Sequence, residues 1–167
     1  MSSIKNKDDF TAAYDEFADA IFRHCYFRVS DRERAKDLMQ EVFVRTWNYV
    51  VEGNEINELK SFLYRTAHNL IIDEYRARKN DASLEDLREK GFDSEEDNRG
   101  KLYASIDAKE ILSLLGELDD KHREVIIMRY IDDLGPKEIS EITGESQNTI
   151  SVRINRAIEQ TKKLLEK

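Results

Sequence analysis

The sequence predicts an all-α fold of two small helical lobes joined by an acidic linker, and three observations predict it. A single proline and six glycines in 167 residues favour long uninterrupted helices. Apolar residues recur at three- and four-residue spacing along most of the chain, with no alternating strand pattern. Periodicity then fails between about Asn80 and Gly100, where charge dominates and only Leu84, Leu87 and Phe92 are large and apolar. The expected boundaries are 1–79 for the first lobe, 80–105 for the linker and 106–167 for the second lobe.

The elements follow in order. From Asp9 to Val29, the residues Phe10, Tyr14, Phe17, Ile21 and Cys25 draw one stripe on a helix. Ser30 with Glu33 three residues on reads as a capping box for the next helix. That helix carries Ala35, Leu38, Met39, Val42, Phe43, Thr46, Trp47 and Val50 as a nearly unbroken stripe. Asp37, Gln40, Glu41 and Val44 fall off it, so Val44 points to solvent or a partner. Gly53 and Asn54 open a loop to about Glu58. A third helix to Arg78 buries some of Phe62, Leu63, Ala67, Leu70, Ile71 and Tyr75.

In the second lobe, Ile111, Leu112, Leu114, Leu115 and Leu118 mark one helix, and Asp119 or Asp120 can cap the next. Pro136 starts a short helix ending at Thr143, where its missing N–H costs nothing. Gly144 then marks a turn that calls for positive φ, before a last helix from about Ser146 to Leu165. Ile139, Ile142, Ile150 and Ile154 can fill a small core between these two helices. That spacing is a helix-turn-helix, whose second helix bears Thr149, Ser151, Arg153, Asn155 and Arg156. Arginines there can reach phosphates or guanine edges, although the same spacing also suits a helical hairpin with a solvated face.

Charge is sorted along the chain. The net charge is −8, which taken alone argues against a nucleic-acid partner. Yet residues 60–79 carry Lys60, Arg65, Arg76, Arg78 and Lys79 against Asp73 and Glu74, a net +3. Residues 147–167 are also +3, and the acidity is concentrated in 80–110, at −5. The single cysteine, Cys25, excludes an internal disulfide. The polar start and the lack of a membrane-length apolar run point to a cytoplasmic protein without membrane insertion. His24, His68 and His122 are scattered without metal-ligand spacing, and there is no glycine-rich phosphate loop or nucleophile elbow. No metal, cofactor or catalytic residue is implied, and the chain is not expected to be an enzyme.

Larger motifs carry a family resemblance. Asp37-Leu-Met-Gln-Glu-Val-Phe-Val44 resembles the second-region helix of bacterial sigma factors. Ser61 to Asp73, with Arg76, resembles the next helix of the extracytoplasmic-function class. Leu118 to Arg129, Glu138 to Gly144 and Thr149 to Ala157 are similar to that class's fourth region. The matches lie in the expected order across both lobes. The resemblance implies a polymerase subunit that recognises and melts promoters, with Asp37, Gln40 and Glu41 docking on core RNA polymerase. A polar set beside a long apolar stripe also suits a basic coiled-coil partner, though a plain solvated face would look the same.

The resemblance further implies that the loop from about Val51 to Lys60 and the third helix handle promoter DNA at the minus-ten element. Asn69 would contact a flipped base, and Arg65, Arg76, Arg78 and Lys79 would follow the backbone. Asn69 could instead be a hydrogen-bonded polar residue inside the bundle. Tyr64 and Tyr75 read as packing residues rather than stacking platforms. Thr149, Ser151, Arg153, Asn155 and Arg156 would meet the minus-thirty-five element, Ser151 standing where the family often has a basic residue. Asp119 replaces a frequent proline. The linker would thread a basic channel of polymerase, while its composition equally fits a solvated tether. An anti-sigma factor is the expected regulator. The alternative is another helix-turn-helix regulator, which would need a receiver or ligand-binding lobe that this helical first lobe does not resemble.

Overall fold

The computed structural model describes the backbone of residues 4–81 and 106–166 and the side chains of 4–77 and 109–166. The expected linker, with Leu84, Leu87 and Phe92, lies outside the described residues, as do the side chains of Arg78 and Lys79. Seven helices make up the described fold: α1 Lys7–Val29, α2 Arg32–Val51, α3 Leu59–Asp81, α4 Ile106–Gly116, α5 Asp120–Ile126, α6 Pro136–Thr143 and α7 Gln147–Leu165. A π-helical turn, Ile127–Ile131, continues α5. Among the described residues the nearest thing to a strand is an isolated antiparallel bridge between Ile4 and Ile56, and no helix is long and apolar enough to cross a membrane.

Local chemistry sets most boundaries. Asn6 caps α1 by accepting from the Asp9 N–H at 2.9 Å, which starts the helix two residues earlier than its stripe indicates. The expected Ser30 and Glu33 capping box does not form. Ser30 instead closes α1 in the left-handed region at φ 56, donating its N–H to the Tyr26 carbonyl. Asp31 takes over the capping of α2 by accepting from the Arg34 N–H at 3.1 Å. With only Ser30 and Asp31 between the helices, α1 and α2 must fold back on one another. In the second lobe Asp119 caps α5, Ser146 caps α7, and Glu138 reaches back to the Gly135 N–H ahead of Pro136. Gly144 has φ 83, where a side chain would be strained.

α1, α2 and α3 pack on one another around Ile21, Cys25, Leu38, Val42, Phe43, Leu63, Ala67 and Ile71. Phe10 and Tyr14 meet Phe43 edge-on, and Phe10 also lies against Trp47, so aromatic contacts close the end of this bundle. In the second lobe α7 packs on α5 and α6, and Ile139, Ile142, Ile150 and Ile154 are buried as the sequence anticipates. Burying each such side chain is worth roughly 1.5–3 kcal/mol, ample to hold a helix as short as α6 in place.

The apolar core does not stop at the lobe boundary. Val125, Met128, Leu134 and Ile139 of the second lobe belong to the same buried cluster as the α1–α3 residues. Phe27 of α1 joins Leu115, Leu118 and Ile127 in a second cluster. α3 lies along α6, and α1 lies against the π-helical turn. The two lobes are therefore closed on each other.

Candidate functional site

Three surfaces hold the residues singled out in the sequence. The first is the outer face of α2. Asp37 and Gln40 are exposed and Glu41 is half-exposed, while Leu38, Met39 and Val42 of the same helix are buried. Val44 is 51% exposed and Val51 is 62% exposed, so the face runs from carboxylates at one end to apolar residues at the other. Positions 37, 41, 44, 48 and 51 alternate four- and three-residue steps, the spacing of a seam that packs against another helix.

Beside this face, α2 and α3 enclose a cleft of about 340 Å³ lined by Asp37, Leu38, Glu41, Leu70 and Asp73 and flanked by Arg34, Arg45 and Glu74. Arg34 Nε donates to Glu74 Oε2 at 2.7 Å and a second guanidinium nitrogen also donates to that carboxylate, which raises the Arg34 pKa. This two-pronged pair ties α2 to α3 and fixes the cleft. Asp73 was not singled out in the sequence, because its place beside Asp37 depends on how α3 crosses α2.

The second surface is the outer side of α3 with the loop before it. Asn69, Arg65, Asp73 and Arg76 are exposed. Asn69 is therefore not a satisfied polar residue inside the bundle. Tyr64 is 3% exposed, and Tyr75 donates its hydroxyl to the Arg28 carbonyl at 2.6 Å, so both pack, as expected. In the preceding loop Gly53 has φ 99 and Ile56 is buried against Ile4. The buried isoleucine pins the loop while Glu55, Asn54 and Asn57 stay exposed.

The third surface is α7. Thr149, Asn155 and Arg156 are exposed and Ser151 is half-exposed, on the side away from Ile150 and Ile154. Thr149 is engaged locally with the Ser146 cap. Arg153 differs from the others. Its guanidinium donates to Glu145 through two nitrogens, and its side chain is only 15% exposed. Lys121 adds a cation 3.6 Å from the same carboxylate. Arg153 thus staples the turn to α7 and holds the helix in register, leaving Arg156 and Asn155 as the outward-facing pair.

The Arg153 hydrogen bond and charge hold the Glu145 carboxyl below the ordinary carboxylate range. A lowered folded-state pKa gives stability that is present above the unfolded value, near 4.3, and is lost as pH falls through the folded one. The stability difference between the native chain and Glu145→Gln should accordingly be largest near neutral pH. It should shrink below about pH 4 in chemical denaturation.

The three scattered histidines of the sequence are only partly dispersed in space. His24 of α1 and His68 of α3 are both buried where the lobes meet, His24 against Asp132 and His68 against Glu124. Nothing in their spacing signals this, since each carboxylate comes from the other lobe. Among the described residues no group of His, Cys, Asp and Glu could hold a metal. Cys25 is buried, and burial first, then Asp132, pushes its thiol up to about 12.

The chain is similar to known proteins along both lobes. Residues 13–81 match Sigma-70 region 2, and residues 108–160 match Sigma-70, region 4. The ECF RNA polymerase sigma factor SigW of Bacillus subtilis is 30% identical, over 96% of this chain and 90% of that protein. RNA polymerase sigma factor YlaC of the same organism is 26% identical, over 98% of this chain and 96% of that protein. The fold matches the sigma factor RpoE of Bartonella quintana, co-crystallised with the anti-sigma factor NepR. The TM-score is 0.76 at 21% identity, over 96% of this chain and 98% of that one.

Proposed function

The chain belongs to the extracytoplasmic-function sigma factors of RNA polymerase, and from that premise we propose how its surfaces divide the family's work. A sigma factor binds core polymerase and directs promoter-specific initiation. In this chain Asp37, Gln40 and Glu41, with Asp73 beside them, form the polymerase-docking face. Val44 extends that face toward its apolar end. Asn69 reads one base of the minus-ten element, and Arg65 and Arg76 follow the backbone, with Arg78 and Lys79 continuing the same basic run. Asn155 and Arg156 read the minus-thirty-five element. Thr149 and Ser151 stand at its edge, and Arg153 positions the helix.

The observation that carries this reading is the presentation of α7. Its apolar side is locked on α5 and α6 by Ile150, Ile154 and Ala157, its turn is stapled by Glu145 and Arg153, and its free side displays Asn155 and Arg156. Such a helix has the dimensions and donors to enter a major groove. The first lobe runs to the end of α3 at Asp81, two residues past the expected boundary at 79, and the second begins with α4 at Ile106, the intervening residues joining the two. The chain works in the cytoplasm, by binding and not by catalysis. An anti-sigma factor is the natural regulator, since the matched RpoE was crystallised with one.

The test uses polymerase reconstituted with the full chain on a panel of single-base minus-thirty-five variants. Arg156→Ala should flatten the preference at one or two positions, by about 1–3 kcal/mol each. Lys163→Ala should lower affinity evenly across the panel and reduce its salt dependence. If both variants act evenly on every sequence, Arg156 is a backbone contact and the reading of α7 is wrong.

A further inference from the structure

The outward side of α7 is not uniformly polar. Val152 is 41% exposed, an apolar residue between Ser151 and Arg153 on the helix that displays Asn155 and Arg156. Helix phase puts it at the middle of that display. Val152 stands two residues from Ile150 and two from Ile154, so it lies about 160° around the helix from each of these buried side chains. Asn148 and Thr149 one turn before it, and Asn155 and Arg156 one turn after it, are all exposed and flank it on both sides. The centre of the face is thus a valine ringed by hydrogen-bonding side chains.

Packing within the lobe does not call for an apolar group there. The core beneath α7 is closed by Ile150, Ile154 and Ala157 on the opposite side. A β-branched residue at an exposed helix position costs helix propensity relative to alanine. Leu165, the other large apolar side chain exposed on α7, lies at its C-terminal end, away from this face's polar ring. The direction of Val152 is also fixed. Arg153, the next residue, is tied to Glu145 on the turn, which sets the rotation of α7 against α6. The side chain itself has little freedom, because one χ1 rotamer dominates for valine in a helix.

A major groove offers such a side chain one kind of partner. Its base edges carry donors and acceptors, and the thymine C5-methyl is the apolar group among them. A valine over that methyl takes two apolar surfaces out of water. Over cytosine it would cover the N4 amino group and leave a donor unpaired. The same contact therefore favours thymine and disfavours cytosine. Glu159, seven residues on and nearly in line with Val152, is exposed and marks where the contact ends. Its carboxylate would be repelled by DNA phosphates, so α7 enters by the turns from Asn148 to Arg156, the end by which recognition helices read bases.

We propose that Val152 is a specificity-determining residue that reads the 5-methyl group of one thymine in the minus-thirty-five element, while Asn155 and Arg156 read hydrogen-bonding edges beside it. The inference deepens the reading of α7 as the base-reading helix and rests on it.

The test uses polymerase reconstituted with the full chain and the minus-thirty-five duplex that it prefers among the single-base variants. Each thymine of either strand is replaced in turn by deoxyuridine, which removes the methyl and leaves every hydrogen-bonding edge unchanged. One replacement should weaken binding about fourfold, the worth of one methyl group lost from apolar contact, and the others by less than about twofold. At that position a C·G pair should bind more weakly still, and 5-methylcytosine in place of cytosine should recover about fourfold. Val152→Ala withdraws both methyl groups at an exposed site and favours the helix, so the fold is kept. In this variant the deoxyuridine penalty should fall below about twofold. Deoxyuridine that is silent at every thymine overturns the proposal. A penalty that persists in Val152→Ala overturns it too, since groove shape or another residue then senses the methyl. So does a preferred duplex without an A·T pair. In these cases the base preferences that depend on Arg156 survive. Failure of the underlying reading of α7 looks different: no base change at any position alters affinity, and Arg156→Ala acts evenly on every sequence.

Discussion

Replacing Asp37 and Glu41 together by lysine is expected to weaken association with core polymerase on the order of 100-fold, about 3 kcal/mol. The reason lies in how α2 displays them. Both side chains stand on the outer flank of α2 beside the buried Leu38 and Val42, and Asp73 adds a third carboxylate from α3 across the cleft. Charge reversal turns two attractions to a basic partner into repulsions, and coupling across close interfacial charge pairs starts near 1.5 kcal/mol. Folding should hardly change. Glu41 gives up only an exposed i,i+4 pair with Arg45, at 3.0 Å, worth a few tenths of a kcal/mol. Asp37 loses a looser contact with Arg34 at 3.4 Å, whose main partner is Glu74. Core-binding titration with a melting curve on the same sample checks the pair. Native affinity in the folded double variant would remove α2 from the docking face.

Asn69→Ala is expected to impair promoter opening and to relax preference at one minus-ten position, by about 1–3 kcal/mol. An amide presents a donor and an acceptor together, so it can distinguish base edges that a cation cannot. The structure removes the main confounder. Asn69 is exposed on α3, so truncating it strands no buried partner, and the melting temperature should stay within a degree or two. Binding to core polymerase and to minus-thirty-five duplex should survive. Open-complex formation on single-base promoter variants gives the reading. A large drop in melting temperature with unchanged base preference would mean that Asn69 serves the fold.

The helices and their buried faces were legible because the stripes are long. Val42 and Phe43, Leu63 and Ala67, and Ile150 and Ile154 all face the core as their spacing indicates. Pro136, Gly144 and Asp119 marked boundaries through chemistry that acts within one turn. Ser30 was misread because two residues with capping side chains stand side by side, and the sharp reversal between α1 and α2 gave Asp31 the cap and Ser30 the left-handed position. The π-helical turn left no sign in the sequence, since Ile127 to Ile131 continue a helical pattern.

Among the site residues, Asp37 and Gln40 fall off the apolar stripe by helix phase alone, whereas Asn69 stands out only through the resemblance, and its exposure is settled by the structure. Arg153 was not distinguishable from Arg156, because its partner Glu145 lies on the turn and outside the helix periodicity. The pairing of His24 with Asp132 joins residues 108 apart. No local pattern encodes a contact between lobes.

The bridge between Ile4 and Ile56 bears on how the molecule can be instrumented. Ile4 is 1% exposed and Ile56 is 3% exposed, so the strand-like contact anchors the start of the described chain to the loop ahead of α3. Lys5, the next residue, is exposed and lies beside that loop. A small environment-sensitive fluorophore at position 5 would therefore sit at the edge of the second surface, next to the loop before α3, without replacing any of the residues proposed to contact polymerase or DNA. A bulky fusion in the same place would crowd that loop. Kinetics of strand separation could then be followed from the protein side, with unlabelled promoter.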